Sequence, residues 1–170
     1  MRSISVSIVL AGIAPLCGCG GHTESGPPSV RLDDSVCEQC NMIISDERWA
    51  TATIVEGDRG HEAYLFDDFN CQVNYEVEHA SIKIVTRWCH SFVSRAWIST
   101  DRAYFLVAPS LRTPMGSMAA AFGSEPEAQT ANREFPGDVM TFDAAWAHLG
   151  TARALNAEDQ SIIEGSSNGP

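Results

Sequence analysis

Basic residues are scarce in this chain. Lysine and arginine together number 11 against 22 aspartates and glutamates in 170 residues, a net charge of −11. The few cations are scattered, and a nucleic-acid backbone needs a basic face to bind it, so nucleic acid is excluded as a partner. An acidic surface instead attracts cations or a basic docking partner, or simply keeps the protein soluble. Other signatures are missing too. None of the five histidines forms an H-x-x-x-H pair, and there is no Ser-His-Asp order and no glycine-rich phosphate loop. Tryptophans and tyrosines are dispersed, without a pattern for stacking bases. Asp67-Asp68 is the nearest approach to paired catalytic carboxylates, and a helix cap explains it better. Nothing in this inventory points to an enzyme.

The chain does have six cysteines: Cys17, Cys19, Cys37, Cys40, Cys71 and Cys89. They do not form two matched Cys-x-x-Cys pairs, so the zinc-ribbon pattern is not met. The first two lie in a segment with the marks of export. Arg2 precedes an apolar run from Ile4 to Leu16 that is too short to cross a bilayer as a helix. The run ends in Leu16-Cys17-Gly18-Cys19, which resembles a bacterial lipobox. Gly18 supplies the small residue before Cys19, whereas Leu16 fits poorly before Cys17. Cleavage is therefore expected before Cys19, with Cys19 carrying the lipid. Gly20 gives no inner-membrane retention signal, so a periplasm-facing, outer-membrane anchor is expected. Residues 22–30, rich in Gly, Pro and Ser, read as a tether.

Beyond the tether, short β-branched runs alternate with helical stretches. Residues 49–55 read as a strand, Glu56 to Gly60 as a hairpin turn, and His61 to Phe66 as the returning strand. Asp67 or Asp68 starts a helix whose apolar face is Phe66, Phe69, Val73 and Val77, ending near His79. Strands are expected over residues 82–88, 96–98 and 103–107. Thr113-Pro114 opens a helix expected to run from Met115 to Phe122 and stop at Gly123. Ser124-Glu125-Pro126-Glu127 has a capping-box pattern and starts another, to about Arg133. A short strand at 139–141 and a helix from Asp143 to Leu149 complete the series. Strand-strand-helix-strand thus occurs in residues 49–88, and something similar in 96–141. The expected fold is α+β, two related small ββαβ-like units with antiparallel sheets. The expected divisions are a signal peptide (1–18), anchor and tether (19–35), a first unit (36–88), a second unit (89–150) and a frayed tail (151–170).

The chemistry concentrates in Cys37-Glu38-Gln39-Cys40-Asn41-Met42, two thiols and a thioether within six residues. Such soft donors select Cu(I) over harder cations. Met115, in Thr113-Pro114-Met115-Gly116, is the best distant candidate to complete the set, and Met118 follows three residues later. Other readings stay open. The cysteines can form structural disulfides, in which case the chain is a stapled scaffold lipoprotein. They can form a thiol-disulfide oxidoreductase pair, although such a pair normally opens a helix directly after a strand. Zinc could be held by Cys37, Cys40, Cys71 and a histidine such as His61. Met42 argues against the disulfide reading, since a staple has no use for a neighbouring thioether.

Taken together, C-x-x-C-N-M-I-I-S, W-A, F-D-D, W-I and T-P-M-G-S-M-A-A-A-F resemble the nitrous oxide reductase accessory lipoprotein family, NosL, from about Cys37 to Leu149. Where the family usually has C-G-M, this chain has Cys40-Asn41-Met42, and asparagine also tolerates a left-handed turn. The resemblance implies a periplasm-facing Cu(I) chaperone for nitrous oxide reductase that docks on a membrane ABC-type complex. It implies Cys40, Met42 and Met115 as ligands, with Cys37 beside them. It also matches Phe66, Asp67 and Asp68 to a family motif with a structural reading.

Overall fold

The computed structural model describes residues 26–151. The expected signal peptide, the expected lipid site at Cys19 and residues 152–170 of the expected tail lie outside the described residues. Strands β1 (Thr51–Gly57) and β2 (Gly60–Phe66) form the first hairpin, followed by α1 (Phe69–Glu78) and β3 (Ile84–His90). Next come β4 (Trp97–Ser99), a single 3-10 turn (Thr100–Arg102), β5 (Tyr104–Val107) and β6 (Ala119–Phe122). The chain continues through α2 (Glu125–Glu134) and β7 (Asp138–Thr141) to α3, residues 142–151. No described helix is long and apolar enough to cross a membrane.

All strand pairs within the two sheets are antiparallel, with order β2-β1-β3-β4 in one and β6-β5-β7 in the other. In each sheet the first strand of its unit is central, the second pairs on one side, and the strand after the helix pairs on the other. The expected pair of ββαβ units is therefore present, but the second is built from different residues than the sequence suggests. β4 belongs to the first sheet, paired to β3 from Trp88↔Ser99 to His90↔Trp97. The second unit is β5-β6-α2-β7.

The helix expected over residues 115–122 is not formed. Pro114 to Gly116 make a turn, Met118 has φ +52°, and Ala119–Phe122 pair with β5 as β6. Three consecutive alanines favour a helix intrinsically. Here tertiary context overrides that preference, because all four β6 residues are buried. Ala119 and Ala121 meet Phe69 and Phe105 on one face, and Ala120 and Phe122 meet Leu106 and Ala128 beneath α2 on the other. β7 comes close to β5 through Gly137, where a Cβ would lie 2.2 Å from the Val107 carbonyl oxygen.

α1 packs between the sheets. Phe69 stacks on Phe105 at 4.8 Å between ring centroids and meets Trp146 of α3 edge-on. Val77, expected on its buried stripe, is exposed; Cys71, Gln72 and Glu76 are buried instead. The swap follows from polar pairing at the sheet. Thr53 Oγ1 donates to Glu76 Oε1 at 2.5 Å, Gln72 Nε2 donates to Thr53 Oγ1 at 2.9 Å, and Arg87 forks onto Glu76 at 2.6 and 2.9 Å. Buried carboxylates persist where they are paired and hydrogen-bonded in this way.

Candidate metal centre

The segment before β1 folds into a tight loop over the end of the first sheet. Val36 and Ile43 form an isolated antiparallel bridge, and the Cys37 amide donates to the Met42 carbonyl at 2.8 Å. Inside that bridge the Asn41 amide donates to the Cys37 carbonyl at 2.9 Å, and Asn41 takes φ +60°. This is the left-handed conformation that glycine or asparagine accepts at low cost. The Glu38 amide donates to the Leu65 carbonyl at 2.8 Å, tying the loop to β2. Preceding residues dock as well: Val30 packs against the cluster of Cys37, Ile44, Ala50, Phe66 and Cys71.

β2 and α1 supply the other wall. Asp67 and Asp68 connect them, and Cys71 lies in the first turn of α1. The ligand atoms of Cys37, Cys40, Asp67 and Cys71 all lie within 4.8 Å of one another. Cys37, Asp67 and Cys71 are buried, and Cys40 is partly open to solvent. The Cys40 thiol lies 3.6 and 3.7 Å from the two Asp67 carboxylate oxygens and donates to them. No disulfide joins any of the four described cysteines.

The thiols differ in acidity. Cys37 is pulled down to about 6, chiefly by a hydrogen bond from Cys71 and also by the backbone N–H groups of Cys40 and Asp67. That same bond, together with burial, pushes Cys71 well above the ordinary thiol range. Cys40 is pushed up to about 11, first by burial and then by sharing its environment with Cys37 and Asp67. Of the three thiols, Cys37 is therefore the one that most readily gives up its proton. Cys89 stands apart in the inter-sheet core, where burial raises its thiol.

The sequence reading and the geometry differ in three ways. Asp67 was missed: the sequence assigns both aspartates to a helix start, but only Asp68 caps, accepting the Asn70 amide at 3.1 Å. The signal was the doubling itself, since one cap leaves the other carboxylate unexplained. Cys71, a lesser candidate on sequence, stands in the cluster. His61 does not: it is exposed near the start of β2, opposite Glu56, about six residues or ~20 Å of strand from Asp67.

The three candidate methionines sit on loops and are exposed. Met42 is 53% exposed, Met115 41% and Met118 39%. The 113–118 loop reaches α1 through Asp68, whose Oδ2 accepts from Thr113 Oγ1 at 2.8 Å and from the Met115 amide at 2.6 Å. Asp67 touches Cys40 and Asp68 holds Met115, so two consecutive residues bind the two sulfur-bearing loops.

These features define a small α+β protein of two similarly connected units, with a sulfur-rich cluster that could hold a metal ion at the rim of one sheet. The chain belongs to the NosL family, whose sequence pattern matches residues 29–149. Among solved structures it resembles the copper chaperone NosL from Shewanella denitrificans, with a TM-score of 0.57 at 16% identity over 69% of this chain and 96% of that one. No curated protein matches it in sequence.

Proposed function

We propose that this chain is a non-enzymatic Cu(I) metallochaperone, anchored by a lipid at Cys19 on the periplasmic side of the cell envelope. It delivers copper for maturation of nitrous oxide reductase and docks on that enzyme's membrane ABC-type complex. One observation carries the reading: the thiols of Cys37, Cys40 and Cys71 converge with Asp67 inside a 4.8 Å cluster at the foot of the Cys-x-x-Cys-x-Met loop. Thiolate and thioether are the donors Cu(I) prefers, whereas the oxygen of Asp67 suits harder ions. The copper is cargo. It is captured by Cys40 with Met42 and Met115 at the solvent side, and Cys37 lies directly behind. Partial exposure of Cys40 and the two thioethers leaves the ion open to exchange with a receiving protein, while the buried thiols keep retention tight.

Anaerobic Cu(I) titration against a competing chelator tests this reading. The protein should retain one Cu(I) per chain, Cys40→Ser should abolish competition, and Met115→Leu should weaken it by about tenfold or more. If metal-free protein instead cycles a substrate disulfide and Met42→Leu leaves that cycling intact, it is a thiol oxidoreductase. If the native protein has all four thiols bridged and takes up no metal, it is a stapled scaffold.

A further inference from the structure

We infer that Asp68 is a positioning residue for the metal site: its carboxylate fixes the 113–118 loop so that the Met115 thioether is presented to the ion. This rests on the Cu(I) reading above and adds the part that assembles the site. Asp68 is 1% exposed and both of its oxygens are engaged. Oδ1 caps α1. Oδ2 accepts from three groups of one loop, Thr113 Oγ1 at 2.8 Å, the Met115 amide at 2.6 Å and the Ser117 amide at 3.3 Å.

Among the described residues, no other side chain outside that loop bonds to it at so many points. The loop lies outside every strand and helix, and its two methionines are partly exposed, at 41% and 39%. Gly116 at φ +73° and Met118 at φ +52° bend the backbone around the carboxylate. The remaining ties are local, reach α1, or hold the loop's end to the residue after β5, where the Met118 carbonyl accepts the Ala108 amide at 2.9 Å. Thr113 Oγ1 accepts the Met118 amide at 3.2 Å and lies 3.2 Å from Ser117 Oγ, and Asn70 Nδ2 donates to the Met115 carbonyl at 3.2 Å. An exposed thioether held only through its backbone goes where that backbone is held. A neighbouring group that orients a ligand without touching the ion governs affinity in just this manner.

Asp68→Asn separates the two jobs of this side chain. Its one remaining oxygen can still cap α1, but its amide would face the Met115 and Ser117 N–H groups, donor against donor. Thr113→Val loosens the loop from the other side and leaves α1 untouched. In the full-length metal-free protein, Asp68→Asn should speed amide hydrogen exchange at Met115 and Ser117 while the α1 amides keep their protection. In Cu(I) competition titrations, Asp68→Asn and Thr113→Val should each weaken binding about 10- to 100-fold. Neither should weaken it further when Met115→Leu is already present, because both act through that thioether. Met42→Leu should still add its own loss to either.

Binding losses that add to that of Met115→Leu, or an Asp68→Asn affinity equal to wild type while Met115→Leu is weak, would overturn the inference and leave the Cu(I) reading standing. A wild-type protein that takes up no Cu(I) would overturn both.

Discussion

Cys37→Ser should weaken Cu(I) retention at pH 7 by more than about a hundredfold, above the range for changes that merely disturb an outer partner. A metal ligand must bind deprotonated, and a group that has already lost its proton does not compete with the ion. Cys37 is that group, drawn down to about 6 by the Cys71 thiol and two backbone amides. Serine is nearly isosteric in this fully buried position, but its hydroxyl stays protonated and its oxygen is a hard donor. The fold should survive, so the circular dichroism melting curve should move little while the chelator competition collapses. Wild-type affinity should also rise with pH through neutrality, because Cys40, held near 11, gives up a proton when it binds. The slope should be about tenfold per pH unit for each proton displaced, and steeper below about 6, where Cys37 is protonated too. A Cys37→Ser protein that competes for Cu(I) as well as wild type would remove the thiolate from the account.

Arg87→Leu should destabilise the fold by about 3–5 kcal/mol, the usual cost of leaving a buried charge without its partner. The side chain of Glu76 is 3% exposed and that of Arg87 28%. Arg87 holds Glu76 by a two-pronged contact, with Thr53 as a third partner. Arg87 itself lies over the ring of Trp146, its guanidinium carbon 4.8 Å from the centroid, so packing is lost along with charge. Chemical denaturation of the metal-free protein measures the change. The double variant Glu76→Leu/Arg87→Leu should recover much of the loss, since hydrophobic replacement of both members of a buried pair is often nearly neutral. The effect reaches function because this pair seats α1 on β1 and β3, and α1 also carries Asp68 and Cys71. A single-variant loss below about 1 kcal/mol would mean that water solvates Glu76 freely.

Local patterns in the sequence made much of this legible. Residues 51–55 are rich in β-branched side chains and lead into a Gly-containing hairpin turn, so both strands could be read directly. Asn41 could be assigned its left-handed turn because few other residues adopt it. The doubled topology was also readable, although not its second copy. Ala119–Phe122 has no period-2 polarity, since both of its faces are buried. Its alanines therefore read as helix, and β4 was taken into the wrong sheet to supply the missing strand. The metal centre divides in the same way. Cys37, Cys40 and Met42 are close in sequence and announce themselves by spacing. Cys71 and Asp67 join them only because β2 runs back under the loop and α1 begins where β2 ends. That is a long-range consequence of the hairpin and leaves no local periodicity. Asp67 was hidden further by Asp68, whose capping role accounts for one aspartate and disguises the other. His61, a candidate only as an extra ligand beside the cysteines, lies away from the cluster because the extended strand carries it to the far end of the sheet.

X-ray absorption at the copper edge of the Cu(I)-loaded protein tests the sulfur-cluster claim most directly. The account predicts a first shell of sulfur alone, with one scatterer lost in Met115→Leu and Asp67 contributing no oxygen. A first shell led by nitrogen or oxygen, or one unchanged by removal of both Cys37 and Cys40, would contradict it.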